Sequence, residues 1–297
     1  MRIVRLLWLA SILALVFALT SCGGDDGTIQ AGGGEPETGA APAPGDAKAA
    51  LEHIHGLGID PESGALYVAT HYGLFRASED ETRLQRMGKS RQDIMGFSVA
   101  APGRFIGSGH PDPGQDLPPN LGLIESRDGG KSWKNVSLLG QADFHVLRSA
   151  GTRIYGFNSG TGTVMVSTDG GRRWAGHAPP AGVFDLAIDP SDSRRIVAST
   201  EEGVFVSTDA GKTWRPRQGD VAGLLVWPAP DDLVLVDGEG RVSRSGNTGR
   251  TFEPVGSVGG PPSAFVADGE DLYAALGDGN VVRSSDGGAS WAVRATP

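Results

Sequence analysis

Apolar residues in this chain fall into short runs of strand length, each closed by Gly, Asp, Pro or Ser. The clearest stretch runs from Val183 to Arg217. Val183–Ile188, Arg195–Ser199, Gly203–Ser207 and Thr213–Arg217 each have the length and β-branched content of a strand, and Asp189-Pro-Ser-Asp192 makes the first turn between them. The same layout fits 144–177, 222–255 and 263–295. It also fits 92–138, where an insertion follows the second strand, and 53–88. Six units of four strands predict an all-β fold, a six-bladed β-propeller over residues 51–297. The ring is expected to close by packing the first unit on the sixth, without exchange of a strand.

Between the third and fourth strands a phrase recurs. It reads Ser126-Arg-Asp128-Gly-Gly130-Lys-Ser-Trp133, Ser167-Thr-Asp169-Gly-Gly171-Arg-Arg-Trp174, Ser207-Thr-Asp209-Ala-Gly211-Lys-Thr-Trp214 and Ser284-Ser-Asp286-Gly-Gly288-Ala-Ser-Trp291. A degenerate copy carries Asn247 and Phe252 in place of Asp and Trp. The closing aromatics lie 41, 40, 38 and 39 residues apart. Asp and Ser can accept hydrogen bonds from turn N–H groups, and the fifth-position Gly tolerates positive φ. The aromatic can wedge between neighbouring sheets. In the first unit the corresponding segment, Ala77–Thr82, has lost the phrase.

The phrase resembles the Asp-box, or BNR, repeat of sialidases, sortilin-type receptors and photosystem II assembly-factor-like propellers. The resemblance implies that these box residues are structural and lie at the blade periphery. It also raises glycoside hydrolysis as an activity.

The remaining sequence sets location. Residues 1–22 read as a bacterial lipoprotein signal: Arg2 and Arg5 precede an apolar run, Leu6 to Leu19, too short for a comfortable membrane span. Leu19-Thr-Ser-Cys22 matches a lipobox, and Cys22 is the sole cysteine, so lipidation is its expected role. Residues 23–50, rich in Gly, Ala and Pro, predict a flexible linker with a reach of roughly 30 Å. The domain is thus expected on the extracytoplasmic face of the cell membrane, anchored by lipid. The formal charge is −9, and removal of Arg2 and Arg5 with the signal makes the mature chain more acidic. That balance argues against nucleic acid as a partner. A monomer is expected, with a protein, a glycan or a metal ion as the candidate ligand.

Propeller topology directs attention to the face opposite the boxes. The first strands begin His53-Ile-His55, Asp93-Ile-Met95 and Asp143-Phe-His145, and Val183-Phe-Asp185 is aligned with them. Side chains two apart share a face. His55, Met95, His145 and Asp185 are therefore expected around one rim, with His53, Asp93 and Asp143 as a second tier. The ends of the second strands add His71 and His110. Five of the six histidines fall on this rim, all in the first three units. Imidazole and carboxylate suit Zn²⁺ or Cu²⁺, and a thioether favours Cu⁺, although no cofactor is certain. The same rim could equally be a structural polar channel. The insertion His110-Pro-Asp112-Pro-Gly-Gln-Asp116-Leu-Pro-Pro119 predicts a stiff flap over the channel mouth.

Enzymatic signatures are sparse. Sialidase chemistry would need an arginine cluster and a Tyr paired with Glu. Tyr67, Tyr155 and Tyr273 sit mid-strand, and Tyr72 has no assignable Glu. Asp93, Asp143 and Asp185 are the carboxylates from which a glycosidase pair would come. No serine-nucleophile elbow and no phosphate-cradling loop is present. The catalytic residues, if any, are unknown at this level.

Overall fold

A computed structural model describes Leu51 and residues 53–297. The expected export signal, Cys22 and the expected linker fall outside the described residues. Those that are described fold into six antiparallel four-stranded sheets, each made of consecutive strands, with no helix among them. Numbered in chain order, the blades span 54–86, 93–137, 144–177, 183–216, 224–257 and 262–295. The inner strands are Ile54–Ile59, Asp93–Ala101, Phe144–Ala150, Val183–Ile188, Leu224–Ala229 and Pro262–Asp268. Each touches the next, and the last touches the first, so the ring is closed.

The core follows from this geometry. Six apolar clusters occur, one per blade interface. Ile54, Leu66 and Phe75 of blade 1 meet Ala264, Tyr273 and Val281 of blade 6. Small residues let inner strands approach: a Cβ on Gly58 would stand 2.5 Å from Val99 Cγ2. The three mid-strand tyrosines, Tyr67, Tyr155 and Tyr273, are buried packing residues.

The boxes work as the sequence predicts. Ser126 Oγ donates to Asp128 Oδ1 (2.8 Å) and accepts from Gly130 N (2.8 Å), while Asp128 accepts from Ser132 N and Oγ. Ser167, Ser207, Ser245 and Ser284 repeat the pattern. Asn247 substitutes well because its Nδ2 donates to Thr251 Oγ1, where an aspartate would accept. Trp133, Trp174, Trp214, Phe252 and Trp291 all pack into interface clusters.

Blade 1 lacks a box, and blade 6 supplies a replacement. The Arg294 guanidinium donates to Glu81 O (2.7 Å) and Ser78 O (2.8 Å), gripping the turn from outside. Leu84 fills the place of the missing Trp and is 3% exposed. A single parallel bridge, Arg83 to Thr296, stitches the chain end to the same turn. No strand is exchanged, as expected, but the seam is sewn by backbone as well as by packing.

Candidate functional site

The inner strands open onto a central cavity of about 510 Å³, whose lining includes His55, Met95, His145 and Phe184. These four are equivalent by strand pairing. Ile54 pairs with Thr70, Ile94 with Gly109, Phe144 with Asn158 and Val183 with Thr200, and a β-bulge follows in each case. The residue after each of these positions faces the channel mouth.

The same register corrects one expectation. Alignment on Val183 placed Asp185 on the rim, but the structure puts Phe184 at the position of His55. A slip of one residue turns a strand side chain to the other face. Asp185 is 1% exposed and serves as an interblade tie. It takes the Arg148 guanidinium of blade 3 and accepts from Leu186 N (2.7 Å) and Leu225 N of blade 5 (2.9 Å). Burial raises its pKa against the pull of Arg148 and these N–H groups. Phe184, which sequence reasoning missed, is 49% exposed.

Six of the other eight candidates form one continuous cluster. Asp93 Oδ2 lies 2.9 Å from His71 Nδ1 and 3.0 Å from His110 Nδ1. His55 Nε2 stands 4.0 Å from Asp93 Oδ1. Asp143 Oδ2 lies 3.0 Å from His145 Nε2 and 4.0 Å from His110 Nε2. Ser159 Oγ also donates to that oxygen. The two remaining candidates flank the cluster: His53 meets the His71 ring edge-on at 5.1 Å, and Met95 lines the cavity.

The electrostatics divide the histidines. Burial, with the neighbouring His71, lowers the His55 pKa to about 4, so this ring is neutral near pH 7. Hydrogen bonding to Asp143 raises the pKa of His145. Burial pushes Asp93 up, but hydrogen bonds from His71 and His110 outweigh it, and the net shift is downward. The His145 bond holds Asp143 low. His55 Nε2, Asp93 Oδ1 and Asp143 Oδ1 are buried without a hydrogen-bond partner. His55, His71 and Asp93 each offer a ligand atom within 4.8 Å of the others, a group able to hold a metal ion.

The insertion does not behave as a lid in this structure. Asp112 accepts from Arg91 N (2.7 Å), Gly140 N donates to Asn120 O (2.8 Å), and Pro118 packs over Gly140. None of its residues 111–120 lines the cavity.

Comparison with known proteins agrees with this architecture. The BNR/Asp-box repeat family matches residues 205–216, the box of blade 4. The protein is a six-bladed Asp-box β-propeller. Over 117 residues it is 31% identical to an oligoxyloglucan-reducing end-specific xyloglucanase of Emericella nidulans. That stretch covers 34% of this chain, and only 14% of the fungal enzyme. Among solved structures, a GH74 xyloglucanase from Xanthomonas campestris superimposes with a TM-score of 0.53 at 18% identity, covering 81% of this chain and 45% of the enzyme. YCF48 bound to D1 peptide superimposes with a TM-score of 0.51 at 16% identity, covering 81% and 82%. Likeness at these identities reflects the shared fold.

Proposed function

We propose that this propeller is a lipid-anchored extracytoplasmic binding protein that captures a transition-metal ion at the channel rim through His55, His71 and Asp93. The observation that carries the reading is the pair of buried, unpartnered atoms, His55 Nε2 and Asp93 Oδ1, facing each other across 4.0 Å. A buried polar atom without a partner is costly. A zinc or copper ion with bonds of roughly 2.0–2.2 Å to nitrogen and oxygen spans that gap and satisfies both atoms. His55 is already neutral at pH 7, so it needs no deprotonation to ligate. The ion would displace the proton now shared by His71 Nδ1 and Asp93 Oδ2. Lipidation at Cys22 would place the site where such ions are met outside the cytoplasm.

The experiment is a Zn²⁺ and Cu²⁺ titration of the full chain beside His55→Ala and His71→Ala. Loss of binding in both variants supports the reading, and unchanged affinity overturns it.

Glycoside hydrolysis is a second reading, favoured by the likeness to the fungal xyloglucanase. It requires one carboxylic acid kept protonated beside one carboxylate. Asp93 and Asp143 are both held low, and Asp185, which burial raises, is 1% exposed with both oxygens taken by Arg148, Leu186 N and Leu225 N. The metal reading is therefore preferred. Release of reducing sugar from xyloglucan, abolished by Asp93→Asn or Asp143→Asn, would reverse that preference. Partner-protein binding at the same rim is compatible with a metal-dependent surface, and YCF48 has been solved with a bound peptide.

A further inference from the structure

The third residue after the box aromatic reaches from the fourth strand of one blade toward the turn of the next. Arg294 holds this position after Trp291, and its guanidinium donates to Glu81 O (2.7 Å) and Ser78 O (2.8 Å) of blade 1. Arg217 holds it after Trp214. Strand pairing gives the same register in both blades. Arg215 pairs with Val206 and Pro216 with Phe205, as Ala292 pairs with Arg283 and Val293 with Val282. An arginine at this position in blade 6 thus finds two carbonyl acceptors. In blade 4 it meets another arginine instead.

Gln218 N donates to Gly249 O (3.2 Å), and Gln218 Oε1 accepts from Phe252 N (3.0 Å). These bonds lay the chain at Arg217 against the box of blade 5, whose sixth residue is Arg250. Arg215, two residues before Arg217, is near enough to act on it as well. Burial lowers the Arg217 pKa, and the positive charges of Arg250 and Arg215 lower it further, with no carboxylate opposing them. Arg217 Nε is buried without a hydrogen-bond partner. Among the described residues no carboxylate pairs with Arg215, Arg217 or Arg250. Arg148, Arg195, Arg244 and Arg283, by contrast, each hold one. Other seams do not gather three guanidiniums. The same positions carry Ala175, His177 and Lys212 between blades 3 and 4, and Glu253, Val255 and Ala289 between blades 5 and 6. A buried donor without an acceptor, among like charges, calls for an anion from outside the chain.

We infer that the seam between blades 4 and 5 is a phosphate-binding site, with Arg215, Arg217 and Arg250 as its donors. Guanidinium is a planar fork that matches phosphate oxygens two at a time. Forks arriving from two blades suit a tetrahedral anion, whose acceptors lie in more than one plane, better than a flat carboxylate. The site lies on the box side of the ring. Strand Gly203–Ser207 starts beside Thr200 at the rim and ends at the box of blade 4, so its length separates this seam from the face of His55, His71 and Asp93. The inference is independent of the metal reading.

The test is calorimetry of the metal-free full chain at low ionic strength, with inorganic phosphate, glycerol phosphate and glycerophosphoglycerol as probes. The wild-type protein binds one phosphate group per chain. Arg217→Gln and Arg250→Gln each weaken binding by about tenfold or more, because a charge-assisted hydrogen bond is lost. Arg217→Lys keeps the charge and the aliphatic stem but loses the fork, so it weakens binding while leaving the fold intact. Arg172→Gln removes the same charge from the box of blade 3 and leaves affinity unchanged. Phosphate raises the melting temperature of the wild type and not that of Arg217→Gln. Preference for the diester identifies a phospholipid headgroup as the source of the anion, and preference for the monoester or the free ion identifies a soluble one. Failure to bind all three probes, or equal weakening by Arg172→Gln, overturns the site.

Discussion

His55 Nε2 stops 4.0 Å short of Asp93 Oδ1, and neither atom has a hydrogen-bond partner. Burial and the neighbouring His71 hold the His55 ring neutral against the opposing pull of Asp93, and thereby link folding to pH. The His55 pKa falls from 6.5 in a free side chain to about 4 in the fold. Between those values the unfolded chain binds a proton that the folded chain does not, so stability rises with pH across this window and is lost on acidification. At one pKa unit per 1.36 kcal/mol the full effect is about 3 kcal/mol. Asp93 and Asp143, both lowered, lose stabilisation in the same direction as pH falls. His145, raised by Asp143, opposes them, since its contribution is present at low pH and fades above its folded pKa. Urea unfolding in chelator should show wild-type stability dropping from pH 6.5 to pH 4. His55→Asn should flatten that slope, and an unchanged slope would refute the assignment.

Asp185 supports the ring rather than the rim, and its removal should be felt in stability alone. Asp185→Ala leaves the Arg148 guanidinium without its carboxylate and Leu225 N without its acceptor. Breaking a buried pair by removing one partner costs about 3–5 kcal/mol. Chemical denaturation should report that loss. Any folded fraction should retain the metal binding of the wild type, because Asp185 bonds to Arg148, Leu186 N and Leu225 N and to none of His55, His71 and Asp93.

The misplacement of Asp185 shows how far the sequence could be read. Box spacing and strand-length runs made the six blades legible, because one covalent phrase recurs at one structural position. The rim histidines were legible for the same reason. Their exact register was not, because the first strands of blades 1 to 4 carry a bulge near their start. The cue that fixes it is the buried apolar residue, 3% exposed at Ile54, 0% at Ile94 and Phe144, and 9% at Val183. Alignment on that residue yields Phe184. The His55–Asp93, His71–Asp93 and His110–Asp143 distances were beyond reach, since they join residues from different blades.

Phe184 stands at the channel mouth where blades 1 to 3 present His55, Met95 and His145. Being half exposed, it contributes little to the core, so Phe184→Ala should change stability by about 0.5 kcal/mol or less. An effect on capture of a peptide or glycan would mark it as a recognition residue, and calorimetry on the metal-loaded protein separates the two. Loss of more than about 2 kcal/mol of stability would place it in the packing instead.

The glycine of the blade 3 box has a double constraint. Gly171 has φ +85°, and a Cβ there would stand 2.0 Å from Leu123 Cδ2 of the preceding blade. Gly171→Ala thus meets both a left-handed backbone and a clash, and should cost at least about 1–3 kcal/mol. Ala210 and Thr248 hold positive φ one position earlier, where Gly is used in other boxes. Ala210→Gly should therefore stabilise the protein slightly if strain dominates, and thermal melts of the two variants should move in opposite directions.

Ring closure offers the last test. Blade 1 has no box, and its turn depends on Arg294 from the far end of the chain. Hydrogen bonds from a charged donor contribute about 1.5–3 kcal/mol when well formed, and partial exposure reduces this. Arg294→Ala should cost about 1–2 kcal/mol. The loss should be local, because the seam between blades 1 and 6 also rests on an apolar cluster that the substitution does not touch. Amide exchange should accelerate at Leu84 and Thr296, whose N–H groups bond across the seam. Exchange in blades 3 and 4 should stay unchanged. Uniform acceleration around the ring would mean that Arg294 sustains the closed propeller as a whole, and the seam would then be its weakest interface.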